Sequence, residues 1–195
     1  MTTTAQPKTG ITYADFLAMP RTTQPHEILD GVLCVYKTPS VEQQWLVMNL
    51  LRGLHAPTRP GRRGVVLPGP LDVFIRKEPR LRTRQPDILY YSAERTGIRG
   101  RKELQEHPVM DAAPDLVVEF LSPNERRRTL AGKLADYAEI GVREVWLVSP
   151  EAETVEALAL SEGGYKRSGL FGIGDTIDSP VLPDLDLTVD AIFED

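Results

Sequence analysis

The run Leu116-Val117-Val118-Glu119-Phe120-Leu121 constrains this chain more than any other segment. An apolar stretch of this length, set between Pro114-Asp115 and Ser122-Pro123, reads as a strand buried on both faces at the centre of a sheet. Glu119 interrupts it. Removing an ion from water costs several kcal/mol even after relaxation, so a carboxylate here demands compensation. An internal ion pair with an arginine would supply it, and so would a strand end open to solvent. The rule that buried charges are paired or bind metal favours a functional role for Glu119.

The flanking segments give the run its context. Asn124 to Ile140 predicts a helix with Gly141 as its C-terminal stop, and Val145 to Val148 predicts another buried strand. Strand, helix, strand implies a right-handed parallel crossover. Upstream, Thr12 and Asp15 form a capping box ahead of a short helix that Pro20 closes, and Asp30-Gly31 between Ile28-Leu29 and Val32-Leu33 signals a hairpin. Ser40 and Gln43 make a second capping box. Behind it Val41, Trp45, Met48, Leu51 and Leu54 recur at helical spacing until Pro57, a stripe expected to pack on the sheet. Val65 to Leu67, Leu71 to Arg76 and Ile88 to Tyr91 read as strands, and Ser92 to Ala113 as a long excursion with a helical turn. Val155 to Leu160 with Gly164 to Lys166 form an edge meander, and Val189 to Phe193 a terminal segment. The expected fold class is α/β (α+β), a mixed central sheet flanked by helices with an extra β meander.

Asp87 follows Pro86 at the opening of a strand, where a side chain can be aimed into a cleft. Pro114-Asp115 repeats the dipeptide, and its aspartate is assigned to turn chemistry. Asp87 and Glu119 would offer hard oxygen ligands suited to Mg²⁺ or Mn²⁺, joined by the Phe120 backbone carbonyl. His26, His55 and His107 show no zinc-ligand spacing. Lys133 borders the apolar stripe Leu130, Leu134 and Tyr137. Its ammonium could point inward over the Glu119 strand, orienting water or offsetting charge on a phosphate, or it could snorkel to solvent. Glu27, at the start of the first hairpin, is either a third carboxylate or an exposed strand-end residue. Arg126, Arg127 and Arg128 oppose the helix macrodipole, which phosphate contact or simple exposure would explain.

The net charge of -5 conceals an asymmetry: Arg52 to Lys102 holds 13 basic and 4 acidic residues, whereas Leu134 to Asp195 holds 3 basic and 14 acidic. A basic middle suits nucleic-acid contact and equally a solvated surface. One cysteine, Cys34, forms no internal disulfide, and no apolar stretch approaches the ~20 residues of a membrane span. The expectation is a cytoplasmic protein without membrane contact. A disordered lead over residues 1–10 would precede one domain over residues 11–195.

Several segments in order carry a family resemblance: Glu27-Ile28-Leu29-Asp30-Gly31, Gln85-Pro86-Asp87-Ile88, Ala113 to Pro123, Lys133 with Tyr137, Gly141 to Val148, and Pro183-Asp184-Leu185. Together, from about Thr12 to Phe193, they resemble the Uma-two family of restriction endonucleases. The resemblance implies a PD-(D/E)XK nuclease core, Mg²⁺-dependent hydrolysis of DNA, and assembly as a homodimer. It also implies Asp87 and Glu119 as metal ligands, Glu27 as an auxiliary acid and Lys133 as the catalytic lysine. The chain departs from the superfamily's name motif, because Leu121 stands two residues after Glu119 where a lysine is usual. The alternative is a catalytically inactive module that binds nucleic acid or a protein partner. A glycosidase using two carboxylates would leave the basic middle and Lys133 without a role.

Overall fold

The computed structural model describes residues 9–58, 61, 63–122 and 127–194, with Arg127 and Arg128 described by their backbone. The lead expected over residues 1–10 lies mostly outside the described residues. So do the expected helix start at Asn124 and the side chains of Arg126, Arg127 and Arg128.

The first helix, α1 (Tyr13–Ala18), opens with Thr12 and Asp15 exchanging hydrogen bonds. The hairpin β1 (His26–Leu29) and β2 (Val32–Val35) turns at Asp30 and Gly31, both with positive φ (52° and 81°). Those two left-handed residues match the twist of the flanking strands, as the Asp-Gly pair predicts. Helix α2 (Val41–Thr58) leads to β3 (Gly64–Pro68), β4 (Val73–Arg76), β5 (Arg82–Arg84) and β6 (Ile88–Ser92). The excursion after β6 contains two short helices, α3 (Ala93–Thr96) and α4 (Arg101–Leu104). Then come β7 (Leu116–Phe120), α5 (Arg127–Glu139), β8 (Glu144–Ser149), β9 (Thr154–Ser161), β10 (Gly164–Phe171) and α6 (Asp190–Phe193).

The central sheet has six strands in the order β10-β9-β8-β7-β6-β3. Only β7 and β8 run parallel, joined by α5, while the remaining pairs are antiparallel. The Glu119 strand is therefore flanked on both sides, and all five of its residues are buried. Alternation along β7 divides the core. Leu116, Val118 and Phe120 join α2 and α6 on one face, whereas Val117 and Leu121 join Leu130, Leu134 and Tyr137 of α5 on the other. Gly141, at φ 73°, ends the turn after α5.

One expectation is corrected. Helix α2 buries Leu46, Val47, Leu50 and Leu54, while Val41, Trp45 and Met48 are 89%, 47% and 41% exposed. Two apolar stripes overlap on this helix, and the buried one lies one position further along; Leu51, at the flank, is partly buried against the core. Periodicity alone does not say which of two such stripes faces the sheet. The run Leu71 to Arg76, read as a strand, supplies one outside the central sheet. Its strand β4 pairs with β5 in a separate two-stranded sheet, anchored to β1 by Ile28 N donating to Thr83 Oγ1 at 3.1 Å and His26 N to Gln85 Oε1 at 2.8 Å. Among the described residues, no helix is long and apolar enough to cross a membrane.

Candidate active site

The site grows from antiparallel pairing of β6 with β7. Ile88 pairs with Val118, so Asp87, one residue before β6, meets the backbone just beyond Val118. Asp87 N donates to the Val118 carbonyl at 3.1 Å, and its Oδ2 accepts from Phe120 N at 2.8 Å. The carboxylate is thereby fixed against the backbone on either side of Glu119. Its Oδ1 accepts from Gln43 Nε2 at 2.9 Å. Gln43 N is capped by Ser40 Oγ at 3.1 Å, so only half of the expected capping box forms. The glutamine side chain reaches the site instead of turning back on its own helix.

Glu119 points to the α5 face. Lys133 Nζ donates to Oε2 at 2.7 Å and Tyr137 Oη to Oε1 at 2.5 Å. Residues four apart on a helix share a face, so α5 sets both donors over one carboxylate. The Glu119 side chain is 3% exposed and that of Lys133 15%. The ammonium therefore turns inward, and the partner of Glu119 is a lysine, where sequence alone also allowed an arginine. Burial pushes the Glu119 pKa up to about 7, with Asp87 raising it further and the Lys133 charge and the two donors opposing. Burial and the neighbouring Glu119 hold the Tyr137 phenol well above its ordinary value. Leu121 packs among the apolar side chains under α5.

Glu27 is not the exposed strand-end residue that sequence allowed. It is buried, and its Oε2 accepts from Arg84 Nη1 at 2.7 Å and Tyr36 Oη at 2.9 Å. Arg84 Nε in turn donates to Asp136 Oδ2 at 2.6 Å, while Arg82 Nε donates to Asp136 Oδ1 at 2.8 Å. Burial works against the Arg84 charge, yet Glu27 and Asp136 offset it and its pKa is raised. This ion network ties β1 and β5 to α5, the helix that carries Lys133 and Tyr137. Among the described residues, no three of His, Cys, Asp and Glu gather in a metal-binding group, so Glu27 does not join Asp87 and Glu119 in one ligand set.

Sequence reasoning gave no site role to Gln43, Arg84 or Asp136, and placed Tyr137 in the apolar stripe and in the motif shared with Lys133 without assigning it a partner. The spacing of Lys133 and Tyr137 was visible; their shared target was not. Other buried carboxylates are structural. Asp115, read as turn chemistry, accepts from Ser92 N at 2.8 Å and pairs with Arg95 and Arg143. Glu144 on β8 accepts from Trp146 Nε1 at 2.6 Å and Ser179 Oγ at 2.7 Å, fastening the segment before α6 to the sheet.

This geometry can be set beside known proteins. A family model described as "Uma2: Putative restriction endonuclease" matches residues 13–190. Among solved structures, the fold is similar to that of a "putative nuclease belonging to DUF820" from Anabaena variabilis, with a TM-score of 0.73 and 18% identity over 94% of this chain and 97% of that one. None of the curated proteins matches the sequence. With a fold shared with that solved structure and a family match across nearly its whole length, the chain belongs to the Uma2 family.

Proposed function

We propose that the chain is a Mg²⁺- or Mn²⁺-dependent endonuclease hydrolysing DNA phosphodiester bonds at Asp87, Glu119 and Lys133. The observation that carries this reading is the buried Glu119 carboxylate, with Lys133 at 2.7 Å and the charge of Asp87 acting on it. Two carboxylates and one ammonium leave a single negative charge in a buried setting. A divalent cation would reverse it, and an incoming phosphodiester would restore balance. The donor set fits such an ion: Mg²⁺ keeps several waters and takes one or two carboxylates plus substrate phosphate. Asp87, Glu119 and the Phe120 carbonyl would hold it. When bound, the ion supplies Lewis-acid polarisation and neutralises charge developing on the phosphoryl group.

The protein's own residues have separate tasks. Gln43 and Phe120 N orient Asp87, and Tyr137 orients Glu119. Lys133, delivered by α5 in place of the lysine missing at Leu121, orients the attacking water and stabilises negative charge on the phosphate. Glu27 acts through Arg84 as a positioning residue for α5. The test is cleavage of linear, supercoiled and single-stranded DNA with Mg²⁺, Mn²⁺ or EDTA, comparing the wild type with Asp87→Ala and Glu119→Ala. Cleavage that needs the metal and is lost in both variants is expected. Cleavage untouched by either substitution would refute the site, and DNA binding without cleavage under every condition would favour an inactive module.

A further inference from the structure

The far end of the sheet carries a second polar site. Strand β6 runs from Asp87 to Ser92, and β7 and β8 run the opposite way, so Tyr90, Ser92 and Arg143 collect at the end remote from Glu119. Five strand residues separate Asp87 from Ser92, about 17 Å at about 3.4 Å each. A cavity of about 480 Å³ opens there. Its lining includes three arginines from three different connections: Arg63 before β3, Arg99 after α3, and Arg143 before β8.

The presence of three exposed arginines along one cavity is not a folding requirement of any of those connections. The buried Asp115 pairs with Arg143 at 3.5 Å and with Arg95 at 3.6 Å, which leaves the Arg143 side chain about half exposed beside the cavity. Arg63 is paired with Asp184, but both side chains are more than half exposed, so a stronger anion displaces that carboxylate at little cost. Arg99 makes no hydrogen bond or ion pair with the described residues. Glu94 and Asp184 share the lining, so cations exceed anions by one. The remaining wall mixes the polar Tyr90 and Ser92 with apolar residues such as Leu182 and Pro183. A cavity of this size, part apolar and part cationic, matches a small ligand with an anionic head and a compact organic body. Arginine forks match phosphate oxygens in pairs, which selects phosphate over a singly charged carboxylate.

We infer that the cavity between Arg63, Arg99 and Arg143 is a binding site for a small phosphomonoester of mononucleotide size, separate from the Asp87 and Glu119 centre. The inference does not rest on the proposed nuclease activity. The test is calorimetric titration of the full chain, in EDTA, with inorganic phosphate, with a deoxynucleoside monophosphate, and with a short duplex bearing 5′-phosphate or 5′-hydroxyl ends. Saturable binding of the mononucleotide is expected, tighter than that of phosphate alone. It should weaken about tenfold or more in Arg99→Ala and again in Arg143→Ala, on the scale of a lost charge-assisted hydrogen bond. Asp87→Asn should bind as the wild type does. Circular dichroism melts identify any variant that fails to fold, and Arg99→Ala, at an exposed side chain, keeps the test valid if Arg143→Ala does fail. Absence of saturable binding would overturn the site, as would binding indifferent to Arg99→Ala or abolished by Asp87→Asn. Binding of the phosphorylated duplex without the free mononucleotide would overturn the ligand.

Discussion

Glu119→Gln should make the protein more stable at neutral pH while abolishing its activity. The substitution keeps the shape of the side chain and removes the charge that burial opposes. In the folded chain the Glu119 pKa is raised from an ordinary value of 4.5 to about 7. As pH climbs, the unfolded chain therefore loses this proton first. Stability from Glu119 is complete below about 4.5, declines as pH rises through about 7, and stays level above. Each tenfold change in proton affinity is worth about 1.4 kcal/mol, so the span amounts to roughly 3 kcal/mol. Glutamine has no proton to lose and escapes the decline. Lys133, still 15% exposed, can turn its ammonium to solvent when its partner is neutral. In EDTA, the difference in Tm between Glu119→Gln and wild type should therefore widen by about 6 to 12 °C from about pH 5 to about pH 8. Calorimetric scans at both pH values measure it. The same difference at both would refute the claim that burial outweighs Lys133 and Tyr137 in setting the proton affinity of Glu119.

Lys133→Met should lower cleavage by about 10²- to 10³-fold at saturating Mg²⁺, measured as single-turnover rates, the usual loss when one charge-stabilising donor is removed. Gln43→Leu removes the amide that donates to Asp87 Oδ1 and should raise the Mg²⁺ concentration for half-maximal cleavage by about 10- to 100-fold, with the plateau less affected. Tyr137→Phe should cost about 1 to 3 kcal/mol in urea melts, more at about pH 8 than at about pH 5, because the ionised Glu119 needs that donor most. Arg84→Met takes from the buried Glu27 its cation, leaving it Tyr36, and leaves Asp136 with Arg82 alone; it should destabilise by about 3 to 5 kcal/mol, with Arg84→Lys recovering only part because lysine lacks the fork that spans both carboxylates.

The parts of the molecule legible in the sequence are those governed by neighbours along the chain. Asp30-Gly31 needs positive φ and turns the hairpin; Thr12 and Asp15 cap each other three residues apart; Glu119 stands out because every neighbour is apolar. Lys133 and Tyr137 were visible as a helical pair. What joins them to Glu119 is the crossover that strand, helix and strand implied, together with a sheet register that the sequence does not spell out. Gln43 was misread because its local role at the Ser40 cap is real but incomplete, its side chain having a partner 44 residues away. Arg84 and Asp136 are 52 residues apart and carry no local signal that either would be buried. The same limit explains the α2 stripe and the detached β4 and β5 pair, where pattern showed that a face is apolar without showing what it would meet.

Placing the cation on α5 while Leu121 stays in the apolar layer separates two jobs that a lysine at that strand position would combine. Strand β7 is locked between two neighbours and has no room to move, but a helix lies on a sheet through side chains alone. One turn of sliding would carry Lys133 about 5.4 Å, enough to take it from Glu119 altogether. The Asp136 grip on Arg82 and Arg84 is what resists that slide. Under the proposed function, the seat of Lys133 over Glu119 is thus a matter of helix registration: anything that loosens α5 would part the ammonium from a carboxylate that the sheet holds in place.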